Sequence, residues 1–141
     1  MTEHFRLAFA TLQLMIGDMA ALAEHAVVMA INAVENHDID EAQKVITGDS
    51  AIDDAEIRIE EECLKILALY QPVAGDLRKV ITVLKINNEL ERVADLAVNI
   101  SERVANMVRF DEKRVERFDF SEMAAKACAM LKKALDAMSY H

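Results

Sequence analysis

From Phe5 to Glu35, apolar residues recur at steps of four and three: Phe5, Phe9, Leu12, Ile16, Met19, Ala23, Ala26, Ala30 and Ala33. Steps of that kind return to one side of a helix, whereas a strand needs alternation by two. Only Gly17 interrupts the run, and one glycine costs about 1 kcal/mol relative to alanine without ending a helix. The segment therefore predicts a single long first helix, with Gly17 marking a close contact or a slight bend. The chain has only 3 Gly and 1 Pro in 141 residues, so few places can stop a helix, and strand signals are nearly absent.

The stops that exist divide the chain cleanly. Glu35-Asn36-His37-Asp38 is short and polar, and Asp38 followed by Glu41 makes a helix N-cap with an acid three residues on. A second helix is expected from there to Tyr70, burying Ile52, Ala55, Ile59, Cys63, Ile66 and Tyr70, with Gly48 its one weak point. Gln71-Pro72 closes it, and Pro72 suits the first turn of a third helix running from about Val73 to Met107. Arg109 to Arg117 reads as a charged linker, taken as residues 109–118. Asp119 and Glu122 then repeat the cap signature ahead of a stripe of Ala124, Cys128, Leu131, Leu135 and Met138. The expectation is an all-α fold: an antiparallel three-helix bundle over residues 1–108, then a fourth helix over 119–141 that either pads the same bundle or docks on a second molecule.

The polar faces carry the chemistry. On the third helix Asn88, Glu91, Asp95, Asn99 and Glu102 fall within roughly 80° of one another, and on the second Asp49, Asp53, Glu56 and Glu60 fall within roughly 60°. Like charges three and four residues apart cost a few tenths of a kcal/mol per pair, a repulsion that solvent tolerates and a cation removes. Carboxylates on neighbouring helices offer oxygen ligands suited to magnesium, calcium, manganese or iron. The plain alternative is a solvated acidic face. A net charge of −9 argues against nucleic acid or an anionic membrane as partner, since both need clustered Lys and Arg. Cys63 and Cys128 sit at apolar helical positions and read as core residues of a protein in a reducing, cytoplasmic compartment. No apolar run is read as a membrane span or signal segment.

Gln71-Pro72-Val73-Ala74-Gly75-Asp76-Leu77-Arg78, followed by Glu91-Arg92-Val93-Ala94-Asp95-Leu96-Ala97-Val98-Asn99-Ile100, resembles the PhoU family, the phosphate-uptake regulators of bacteria. The similarity extends to the Gly17 region and to Gly48-Asp49 through Ile59, about residues 5 to 107. It implies a three-helix bundle that usually occurs in tandem, with Glu/Asp-x-x-x-Asp motifs holding iron, zinc or other metal clusters. The matching positions are Asp49 and Asp53, and Glu91 and Asp95, on the two acidic columns already picked out by periodicity. Glu60, Asn99 and Glu102 are candidate outer ligands. The resemblance also implies a non-enzymatic adaptor that links the phosphate ABC transporter, through its ATPase, to a sensor histidine kinase and represses the phosphate-starvation response. Here one repeat is complete and a second has only begun, which fits a fragment, a single-repeat relative, or a homo-oligomer that rebuilds the pair.

The remaining residues are read more plainly. Arg92 is expected in a surface ion pair, and Arg78 either pairs with Asp76 at a helix start or contacts a partner. His4, His25, His37 and His141 form no constellation, and the methionines read as core filling. Two other functions stay open: a bundle serving only oligomerisation, and a carboxylate-bridged di-metal protein. The second normally needs Glu-x-x-His pairs pointing inward, and the sequence has none.

Overall fold

In the computed structural model, residues 2–110 and 120–139 are described, and they form four helices. They are α1 (Glu3–Asn36), α2 (Ile39–Tyr70), α3 (Ala74–Phe110) and α4 (Ser121–Ser139). Short connections make α1, α2 and α3 an up-down-up bundle, the antiparallel all-α architecture expected. Most of the charged linker, and Asp119 with it, lies outside the described residues, although Arg109 and Phe110 still belong to α3.

Local chemistry sets the ends. The Thr2 hydroxyl accepts from the Phe5 N–H at 3.2 Å, and the Asp38 carboxylate accepts from the Glu41 N–H at 3.2 Å, so both caps satisfy donors the first turn leaves free. His37 ends α1 in the left-handed region at φ 52°, which lets the Asp38 N–H reach the Ala33 carbonyl at 3.0 Å. Gln71 does the same for α2 at φ 44°. Pro72 precedes α3 by two residues rather than opening it, because Ala74 itself takes φ 51° and the helix builds from there. Gly48 does not break α2.

The core runs the length of the bundle. Leu12, Met19, Ile59, Ile66, Leu90 and Ile100 are almost fully buried, and Ala23, Ala26, Ala30 and Ala33 allow close helix approach in the second half of α1. At the other end Phe5 stacks on Phe9 and meets Tyr70 edge-on at 6.3 Å between centroids. On α3 the buried arc is wider than one heptad stripe: besides Ile86, Leu90, Val93, Ala97, Ile100 and Val104 it includes Val80, Val83, Asn87, Ala94, Ser101 and Ala105. The reason is that α3 touches all three other helices.

The fourth helix pads the bundle, resting mainly on α3 and partly on α1. It turns a different face inward from the one expected. Phe120, Ala127, Leu131 and Ala134 are buried, Ala124, Leu135 and Met138 are half-buried, and Cys128 is exposed. The expected stripe is therefore rotated by about one residue, and only Cys63 is a core thiol.

On α1, the close-contact alternative for Gly17 falls, and the expectation that no apolar run reaches the length of a membrane span is corrected. No atom beyond the helix's own backbone and adjacent residues lies within 4 Å of where a Gly17 Cβ would sit, so the glycine serves no close contact inside this bundle. An 18-residue window of α1 is also apolar enough by length and composition to cross a membrane. In addition to the stripe buried in the bundle, α1 carries a second apolar set on its outer side, with Leu7 56%, Leu14 73% and Val28 50% exposed.

Gly17→Ala should raise stability by about 0.5–1 kcal/mol, since the methyl meets open space and the unfolded chain loses freedom. Leu12→Ala, by contrast, should cost about 2–5 kcal/mol. Urea denaturation followed by circular dichroism measures both.

Candidate metal centre

The antiparallel pairing of α2 with α3 brings the two acidic columns together along one seam. Its anchor is Asn87, 1% exposed, whose side-chain amide donates to the Glu56 carbonyl at 3.0 Å across 31 residues of sequence. Asn87 precedes Glu91 by about one helical turn, so the bond holds Glu56 within about a turn of Glu91 along the seam. Carboxylate oxygens of Asp53, Glu56 and Glu91 all lie within 4.8 Å of one another. None of the three has an ion-pair partner among the described residues.

Unbalanced charge and partial burial shift the protonation of this group. Glu91 is pushed up to about 7: protonated, it donates a hydrogen bond to Asp95, and burial and the charges of Asp95, Glu56 and Asp53 add to the effect. Glu56 is raised by burial first, then by Asp53, Glu60 and Asp95. Asp49 is raised by burial, then by Asp53, Asp95 and Glu102, and its Oδ1 is buried with no hydrogen-bond partner. An orphaned carboxylate oxygen beside three converging carboxylates fits a hard cation: a multivalent ion bound by oxygen would satisfy the orphan and cancel the repulsion.

The residues singled out from sequence fall out as follows. Asp53 and Glu91 are in the tight group, while Asp49 and Asp95 flank it and act on it by charge and hydrogen bonding. Glu60 and Glu102 are exposed and reach the group as charges on Glu56 and Asp49. Asn99 is exposed, with no hydrogen bond to the cluster among the described residues. The columns flank the buried seam rather than facing straight away from the core, because Asp49, Glu56 and Glu91 are half-buried. Glu56 is not among the expected ligands although it stands in the same column, three residues after Asp53, and no spacing within α3 marks Asn87 as the residue that crosses to α2. Arg92 pairs with Glu89 at 3.1 Å, the surface pair expected of it. Asp76 and Arg78 form no ion pair among the described residues; the Arg78 carbonyl instead accepts from the Thr82 hydroxyl at 2.7 Å.

These features define a class: a bundle of long helices that carries an oxygen-donor cluster on the seam between two of them. The PhoU domain family pattern matches residues 16–104, and the chain belongs to the PhoU family. It is 37% identical over 121 residues to the "Phosphate-specific transport system accessory protein PhoU homolog" of Rhizobium meliloti (strain 1021), covering 86% of this chain and 51% of that protein. With the homolog from Aquifex aeolicus (strain VF5) it shares 45% over 85 residues, 60% of this chain and 38% of the relative. The chain thus spans about half or less of the length of these relatives. Among solved structures, PhoU from Pseudomonas aeruginosa superposes with a TM-score of 0.84 at 31% identity, covering 96% of this chain and 65% of that one. Proteins of this family are regulatory accessory proteins of phosphate transport.

The raised Glu91 makes a signed prediction. Its folded-state pKa near 7 lies above the ordinary 4.5, so the folded state binds more protons, and metal-free stability should fall as pH rises from about 4.5 to 7. Glu91→Gln should flatten that slope and make the metal-free protein more stable than wild type at neutral pH, as read from thermal unfolding in chelator across this range.

Proposed function

We propose that this chain is a regulator of phosphate signalling that works by protein contact and holds one or more metal ions on the α2–α3 seam. The observation that carries the reading is the convergence of Asp53, Glu56 and Glu91 within 4.8 Å without a balancing cation among the described residues. Asp49 and Asp95 complete the oxygen set, and iron, zinc, magnesium and manganese are the ions to test. Such an ion supplies charge neutralisation. The residues' part is to hold α2 against α3 in a fixed register, and Asn87 fixes that register from the protein side.

The named relatives are accessory proteins of the phosphate-specific transport system, which supports a role beside the phosphate ABC transporter. The proposed contacts are its ATPase and a sensor histidine kinase, with the phosphate-starvation response held off while they persist. Those contacts would be made in the cytoplasm. The exposed apolar outer side of α1 supports a homo-oligomer as the working form. Alignment of two helices by a bound ion is a sufficient means of switching such a surface, since a contact surface spread over two helices depends on their register.

Protein purified without chelator should carry metal by elemental analysis, and Asp53→Ala/Glu91→Ala should lose it while remaining helical. Saturating metal should raise the wild-type melting temperature and leave that of the double variant unchanged. The variant should also fail to be retained by immobilised transporter ATPase under conditions in which wild type is retained. Absence of metal from wild type, even after incubation with iron, zinc, magnesium and manganese salts, would falsify the metal reading.

A further inference from the structure

Against a net charge of −9, the groove between α3 and α4 is basic. Its larger lobe, about 510 Å³, is lined by Lys85 and Arg92 of α3 and Lys133 of α4 over a floor that includes Ile86 and Ala134. A second lobe of about 200 Å³ is lined by Arg92 and Asp95 of α3 and by Lys126, Leu96 and Met130. Arg92 is common to both, so the lobes form one continuous groove. Lys85, Arg92, Lys126 and Lys133 are all exposed. The acids within it are Glu89, already bonded to Arg92 at 3.1 Å, and Asp95.

The spacing of the cations is informative. Lys85 and Arg92 are seven residues apart on one wall, and Lys126 and Lys133 are seven apart on the other. Seven residues are two helical turns, about 10.5 Å. Lys133 faces the lobe that holds Lys85 and Arg92, and Lys126 the lobe that holds Arg92, so along each wall the cations stand about 10.5 Å apart with apolar side chains in the groove. A helix laid in the groove and presenting carboxylates at positions seven apart has the same pitch, and its intervening apolar side chains meet Ile86, Leu96, Met130 and Ala134. The small side chain of Ala134 admits close approach. A nucleic-acid backbone repeats its charges at shorter intervals and is repelled at range by the acidic whole, and a concave groove does not present its cations to a flat membrane.

We infer that the α3–α4 groove is a docking site for an acidic amphipathic helix of a partner protein, gripped by Lys85/Lys133 and Arg92/Lys126 over the apolar floor between them. The groove runs along the other edge of α3's exposed strip from the carboxylate seam, and Asp95 is the one residue placed at both.

The probe is a fluorescent helical peptide of about five turns, roughly 18 residues, with glutamates seven apart and leucine and alanine on the face between them, titrated with the full chain by anisotropy. Saturable one-to-one binding is expected, weakened at least about tenfold by Lys85→Glu/Lys133→Glu and also by raising salt well above physiological strength. Lys85→Ala/Lys133→Ala should give an intermediate loss, and Lys65→Glu on the exposed side of α2 should change nothing; circular dichroism checks the fold of each. Equal binding of a scrambled peptide of the same charge would overturn the inference, as would equal binding by the charge-reversed variant. So would displacement of the peptide by RNA or by anionic phosphatidylserine vesicles at comparable concentration. Low-salt self-association that Lys85→Glu/Lys133→Glu abolishes would overturn it too, by assigning the groove to a second copy, whose α2 carries Asp49 and Glu56, and Asp53 and Glu60, at the same spacing.

Discussion

Burial of α3 on three sides is the constraint on which the structure depends. A helix packed against one neighbour needs one stripe; α3 packs against α1, α2 and α4, and its buried arc therefore admits Asn87 and Ser101 among aliphatic residues. What remains of its surface is one strip about 100° wide, bordered by the seam with α2 on one edge and by the groove with α4 on the other. Glu91 and Asp95 lie toward the first edge and Lys85 and Arg92 toward the second. Adjacent residues are about 100° apart around a helix, which is why the neighbours Glu91 and Arg92 reach the two edges of the strip. Shifting α3 by one residue, a rotation of about 100°, would bring Glu91 to the groove edge, turn Arg92 toward the core and expose apolar residues, so core packing and the placement of charge are fixed by the same register.

Helix number, order and the Asp38 cap were legible in the sequence because they rest on periodicity and short-range capping, both local. The acidic columns were legible for the same reason, as residues three and four apart share a face whatever packs nearby. The departures lie where tertiary packing decides. A stripe of Ala124, Cys128, Leu131 and Leu135 and one centred on Ala127, Leu131 and Ala134 are almost equally apolar, and only the groove between α3 and α1 chooses between them. Glu56 becomes part of the tight carboxylate group through the Asn87 bond from another helix, which no spacing within α2 reveals. The apolar outer side of α1 is legible in Leu7, Leu14 and Val28, but only the packing of the bundle decides which of the two apolar faces of α1 is buried.

The carboxylate seam is a place where the fold gives up stability. Asp49, Glu56 and Glu91 are all raised because burial and like charge act in the same direction, and the buried Oδ1 of Asp49 has no partner. A protein selected only for a strong fold would place neutral or basic residues on that seam. Solvent screens the exposed ends of the columns at Glu60 and Glu102, whereas the half-buried centre is screened less. Repulsion is therefore concentrated where two helices must stay in register, and a bound cation has its largest effect there.

Asp95 joins this seam to the groove along the other edge of the exposed strip of α3. Its carboxylate helps raise Glu91, Asp49 and Glu56, and it also lines the smaller lobe beside Lys126. A cation on the seam that engages Asp95 withdraws negative charge from the groove, leaving Lys126 and Arg92 less compensated and an acidic helix more strongly attracted. Linkage makes the effect reciprocal: an acidic helix that occupies Lys126 and Arg92 leaves Asp95 freer to turn to the cation. The coupling needs no large movement, because one carboxylate stands between two clusters of opposite sign, and its size is set by how much of the Asp95 charge each side already holds.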